Sequence, residues 1–310
     1  MKLAIPDLIS NSYFPALAAA ELGFFEREGL DVSAELIYPV DRAYAALRDG
    51  EVDFVGGAAH AVPSAFPDWR GAKLLGGLAQ GMYWFLVMRA DLNIARGDLA
   101  ALKGRRIGAA PWVEMGLRGV LGAAGFDPAR DDIGIGPVPR TGDAGTNFGL
   151  AAAEALERGE IDGFWANGMA TEIAVSRGVG TIVLDVRRGD GPPGCFGYTM
   201  PALVATDRLI ERAPDIVAAA VRALVACQAA LREDASRAAE VGRRRFPPRE
   251  AGLIASIVER DLPFYDAAIS TAAVAGMTAF GRRMGVLARD VPYAEVVATQ
   301  FSGLWRGAGR

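Results

Sequence analysis

The chain writes nearly the same phrase twice. ALRDGEVD at residues 46–53 returns as ALERGEID at 155–162, so that Gly50 falls on Gly159 and Asp53 on Asp162. Each copy begins in the last turn of an amphipathic helix, AYAALRDG or LAAAEALERG. A glycine there suits the left-handed position that closes a helix. The short apolar runs that follow, VDFVG and IDGFWA, have the length of a buried parallel strand. Small residues then open a further helix. Helix, glycine, strand, loop, helix is the repeating part of an α/β sheet. Any α/β protein reuses such connectors, but a match this long favours two lobes of like design. On that reading the shared halves build scaffold, and the divergent tails line a cleft between the lobes.

The chain is long enough for this: 310 residues allow two domains, each with its own core. With 51% hydrophobic and 23% charged residues it reads as an ordinary globular protein. Net charge is −4, and the densest basic cluster is Arg243-Arg244-Arg245, which argues against a nucleic-acid groove. No window approaches the roughly 18 apolar residues of a membrane span. KLAIP reads directly as a first strand, and Asp7 and Asn11 interrupt any leader-like apolar core. The location expected is therefore periplasmic if a leader has been removed, or cytoplasmic if Met1 is the native start. Cys195 and Cys227 are expected to be unpaired thiols.

Periodicity gives strands at 2–6 and 30–38, a helix ending at Gly50, and the first repeat strand. AKLLGGLAQ and YWFLVMRA are two further β-like runs. After a connector come RRIGAAP, a helix, the short strand IGIGPVPR, the second repeat and the strand GVGTIVLDVRR. YTMPALVATD runs back as a strand, and everything from about 207 onward is helical by period. This order predicts one lobe at 1–89 plus 200–310 and another at 93–196, with crossings near 89–93 and 196–200 as a hinge. In open parallel sheets, ligands bind beyond the carboxyl ends of the strands.

The segment SYFPALAAAELGFFEREGLDV, with Pro15, Ala19, Gly23-Phe24-Phe25 and Gly29-Leu30-Asp31-Val32, carries a resemblance. So do the repeat, LKGRRIG at 102–108 and the strand-to-helix segment around Trp165. Over about the first 205 residues the chain resembles the ABC-importer binding proteins for taurine, alkanesulfonates, nitrate and thiamine-pyrimidine precursors. The resemblance implies the two-lobed α/β fold of type II periplasmic binding proteins, each lobe a mostly parallel sheet flanked by helices, with a helical C-terminal region. It also implies capture of a small molecule, delivery to an ABC permease, a monomeric chain and no cofactor.

Candidate contacts follow from the strand ends. Ser10, Asn11, Ser12, Tyr13 and Phe14 form the loop after the first strand, where hydroxyls, an amide and free N–H groups suit a polar head group. The competing reading is ordinary helix capping. Ala58, Ala59 and His60 end the first repeat strand; small residues admit a ligand, and the single histidine is expected to be neutral. Tyr83 and Trp84 sit beside the first crossing, one of them expected in the site and the other in the core. Pro111-Trp112-Val113-Glu114-Met115 occupies the place where relatives often carry an anion nest, and its bulk and carboxylate point away from sulfonate or nitrate. Trp165 and Asn167 end the second repeat, with Asn167 expected to donate and accept; Cys195 and Tyr198 lie near the return crossing. No arginine falls at an expected loop tip, so an aromatic or heterocyclic solute of low charge fits best. One histidine and two distant cysteines offer no metal-ligand spacing.

A few cytoplasmic enzymes share the family's fold, including a sulfinate desulfinase with a cysteine nucleophile in the first loop. Ser12 stands at that place here, and His60 is the one histidine available to activate it. A Ser12–His60 pair, with Glu114 near, defines the alternative reading of a decarboxylase- or desulfinase-like enzyme. No G-x-S-x-G elbow supports it.

Overall fold

Both copies of the repeat close in the same way. In the computed structural model, which describes residues 1–8, 10–141 and 148–306, the helix Val40–Asp49 ends at Gly50 with φ +79°, and the helix Phe148–Glu157 is followed by Gly159 at φ +67°. Gly50 N–H donates to Leu47 O (3.3 Å) and Glu51 N–H to Ala46 O (2.9 Å). Gly159 and Glu160 repeat the pattern on Leu156 (3.1 Å) and Ala155 (2.9 Å). This is a Schellman closure, and it accounts for the shared A-L-x-x-G-E.

The strands are β1 (Lys2–Ile5), β2 (Ser33–Leu36), β3 (Phe54–Ala58), β4 (Ala72–Gly77) and β5 (Phe85–Arg89), then β6 (Arg106–Ala109), β7 (Gly134–Gly136), β8 (Gly163–Ala166), β9 (Gly180–Asp185) and β10 (Pro201–Thr206). The chain divides into two compact units, Met1–Gly81 with Gly197–Arg310, and Met82–Phe196. The first unit's sheet runs β2-β1-β3-β10-β4 and the second unit's β7-β6-β8-β5-β9. The two orders are equivalent position by position. In each, one strand is antiparallel to both neighbours: β10 between β3 and β4, and β5 between β8 and β9. Each of these strands carries a register shift, after the third residue of β10 at Leu203/Val204 and after the second residue of β5 at Leu86/Val87.

The repeated aspartate starts the strand pairing. Asp53 Oδ2 accepts from Lys2 N–H (2.8 Å) while Asp53 N–H donates to Lys2 O (2.9 Å). Asp162 does the same with Arg106, at 2.8 Å in both directions. The latch sits at the amino edge of each sheet, so the opposite edge is free to vary.

Two expectations change. Tyr83–Arg89 does not belong to the first unit, because β5 pairs with β8 and β9; the first crossing lies at Gly81–Met82. The strand read over 30–38 shrinks to β2, since β1 offers only four residues for it to pair with. Helices from Asp207 onward cover the first sheet. Among them, contrary to the sequence expectation that no window approaches a span, Pro214–Glu233 is long and apolar enough to cross a membrane by length and composition alone. Here it buries Val217, Val221, Leu224, Cys227 and Leu231, and Gln228 donates to Gly77 O and Leu78 O (2.9 and 3.0 Å).

Candidate functional site

At the carboxyl edge of the first unit's sheet lie the loop after β1 and the turn after β3. Ser10, Asn11 and Ser12 are fully buried and Tyr13 nearly so. The capping alternative fails: Tyr13 is the N-cap of the helix Phe14–Glu21, and no side chain caps it. The loop is held instead by a distant segment. Asn11 Nδ2 donates to the buried carboxylate of Asp261, and Tyr265 Oη donates to Asn11 O at 2.5 Å. Ser12 N–H donates to Ser10 Oγ (3.3 Å). Asn11 Oδ1 and Ser12 Oγ are buried without a hydrogen-bond partner among the described residues.

Ala58 and Ala59 are fully buried, and Tyr44 Oη donates to Ala58 O (3.0 Å). Burial, with Tyr13 next in importance, pushes the Tyr44 phenol well above its ordinary pKa, so it stays a donor. His60, buried beside them, has Nδ1 2.9 Å from Thr199 Oγ1 and its ring edge-on to Phe280 at 5.9 Å. Tyr198 stacks flat on that same Phe280 at 4.5 Å, with the Arg283 guanidinium 4.8 Å from the Tyr198 ring centroid. A Ser12–His60 hydrogen bond is not formed, because Ser12 Oγ has no partner. That removes the activated-serine geometry on which the enzyme reading relied.

The second unit gathers aromatics at the matching edge. Tyr83 and Trp84 precede β5, with ring centroids 5.0 Å apart, and Trp84 lies 6.1 Å from Trp165 at the end of β8. All three are buried. Trp165 Nε1 donates to Val113 O (3.1 Å), tying the cluster to the loop after β6. In that loop Trp112 sits at φ +68° and is half-buried, a conformation costly for a bulky residue. Met115 is half-buried, as is Glu114, whose carboxylate pairs with Arg118 at 3.4 Å. Gly116 lets the next helix approach: a Cβ there would fall 2.5 Å from Trp84 Cζ3. Asn167 proves to be an N-cap, its Oδ1 accepting from Met169 and Ala170 N–H (3.0 and 3.3 Å), so its oxygen is committed to scaffold. Cys195 and Cys227 are both fully buried, and no disulfide joins them.

Arg187 overturns the expectation that no arginine reaches a loop tip. It follows β9, is buried, and places its guanidinium 5.5 Å from the Tyr83 ring centroid. The sequence reading ran the strand through Val186-Arg187-Arg188 and so hid it; the short turn that begins after Asp185 is the missed signal. Asp261, Tyr265 and Thr199 were missed as well, and they are far in sequence from the residues they hold. Among the described residues no cluster of His, Cys, Asp and Glu has the make-up of a metal site.

The architecture is the type II periplasmic binding fold. Three of the solved structures that share it illustrate the likeness. The alkanesulfonate-binding protein SsuA of Xanthomonas axonopodis pv. citri, bound to MOPS, has a TM-score of 0.71 and 15% identity, covering 96% of this chain and 97% of its own. The periplasmic nitrate-binding protein NrtA of Synechocystis PCC 6803 has 0.68 and 15%, covering 100% and 85%. The desulfurization enzyme DSZB has 0.66 and 17%, covering 97% of each chain. No curated protein matches the sequence significantly. The model of the family "NMT1/THI5 like" matches residues 10–238, and the chain belongs to that family.

Proposed function

We propose that the protein is the solute-binding component of an ABC importer and takes a small aromatic or heterocyclic solute carrying at most one acidic group. The observation that carries this reading is the cluster of Tyr83, Trp84 and Trp165 at the carboxyl edge of the second sheet, with half-buried Trp112 beside it and the buried Arg187 stacked on Tyr83. Aromatic walls with a few placed polar groups are the usual make-up of small-molecule sites. In the first unit, Ser10, Asn11, Ser12, Tyr13, Ala58, Ala59 and His60 form the corresponding polar edge. Membership of the family and the likeness to SsuA and NrtA support a binding role and a periplasmic location, and the proposal adds a membrane permease as partner and a monomeric chain.

Thermal-shift screening against pyrimidines, aromatic carboxylic acids and alkanesulfonates tests the ligand class. The first two groups are expected to raise the melting midpoint; a shift with alkanesulfonates alone overturns the assignment. Turnover of an aromatic acid that is lost in Ser12→Ala would instead establish the enzyme reading.

A further inference from the structure

Two polar atoms on adjacent residues of the first loop, Asn11 Oδ1 and Ser12 Oγ, are buried and lack partners among the described residues. Leaving one such group unsatisfied is costly, so a pair in adjacent residues calls for an explanation. Capping does not supply one, since neither side chain caps the following helix. The polarity of the pair is not arbitrary. Asn11 Nδ2 donates to the Asp261 carboxyl group, so the amide has its nitrogen turned toward Asp261 and its oxygen turned away. Tyr265 pins the same residue's backbone carbonyl, which blocks a compensating rotation of the loop. What the loop then offers is an amide oxygen that only accepts, with a hydroxyl on the following residue that can serve as either donor or acceptor. An anionic oxygen meets repulsion there, and an N–H group meets a match.

We propose that Asn11 Oδ1 and Ser12 Oγ form a ligand subsite that takes an N–H donor and rejects an anionic oxygen, with Asp261 as the positioning residue that sets this preference. The proposal narrows the aromatic-solute reading by assigning the solute an amine, amide or amidine group.

Calorimetric titration of the whole protein with benzamidine, acetamidine and benzenesulfonate tests it. Benzamidine is expected to bind about tenfold or more tighter than benzenesulfonate, and Asp261→Asn, which frees the amide to turn, is expected to bring the two within about threefold. A merely structural Asp261 would weaken both probes alike and leave their ratio intact, which overturns the proposal. Ser12→Ala gives a check that does not depend on folding of the first variant. Removing a buried unpartnered hydroxyl leaves the free protein as stable as before or more so, while benzamidine affinity falls several-fold. If Ser12→Ala instead loses stability and keeps its affinity, the hydroxyl is structural and the subsite is wrong. Tighter binding of benzenesulfonate, or binding of neither amidine, also overturns it. Acetamidine separates the two readings: if it binds and no aromatic probe does, the subsite stands and the aromatic assignment falls.

Discussion

The shared aspartate does more for this fold than its single hydrogen bond suggests. Asp53 and Asp162 each join the first residue of one strand to the residue that precedes its parallel neighbour, accepting with the side chain and donating with the backbone. Charged acceptors on backbone N–H groups contribute about 1.5–3 kcal/mol. Asp162→Ala is therefore expected to lower the unfolding free energy by about that amount in urea titration, and Asp162→Asn by less than half of it, since an amide oxygen still accepts. An equal loss in both variants would place the effect in charge and not in the latch. The two thiols offer a second residue-scale check. Both are fully buried, and burial drives the Cys227 thiol far above its ordinary pKa. Neither is expected to react with a disulfide reagent near neutral pH until the protein is denatured, when both titrate.

At the level of elements, the helix Glu114–Ala123 owes its position to Gly116, whose missing side chain admits Trp84. Helix propensity alone would make Gly116→Ala stabilising by about 1 kcal/mol. Overpacking against Trp84 opposes that with about 1–3 kcal/mol, and the expected net outcome is destabilisation with an altered near-ultraviolet circular dichroism signal. A stabilised variant with unchanged spectrum would mean that Trp84 is not seated there. The same contrast explains what the sequence revealed. Local patterns fixed by helix closure and strand period were legible, which is why Gly50, Gly159 and the repeat strands were placed from sequence alone. Strand neighbours were less so: YWFLVMRA carries no mark of whether β5 ends one sheet or enters the middle of the next. The site was legible where it follows a strand end, as with Ser10–Ser12 and Trp165. It was illegible where a partner arrives from far away, as Asp261 and Tyr265 do to Asn11, or where a strand stops three residues early, as β9 does before Arg187.

The molecule as a whole is built from two sheets of equivalent order, yet the chain composes them differently. The first sheet needs both ends of the chain, since β10 enters between β3 and β4. The second is drawn from a single continuous segment: β5 to β9 all lie within Met82–Phe196, as do their pairings, the Asp162 latch and the Tyr83–Trp84–Trp165 cluster. A segment of this size with its own sheet and core falls within the range of independently folding domains. Residues 82–196 expressed alone are therefore expected to give a cooperative thermal transition and native-like tryptophan emission from the buried Trp84 and Trp165. The complementary segment 1–81 alone, lacking β10, leaves β3 and β4 without the strand that joins them and is expected to stay unfolded. Cooperative folding of 1–81 with failure of 82–196 would reverse the assignment of which unit is self-sufficient, and with it the account of how crossing strands complete each sheet.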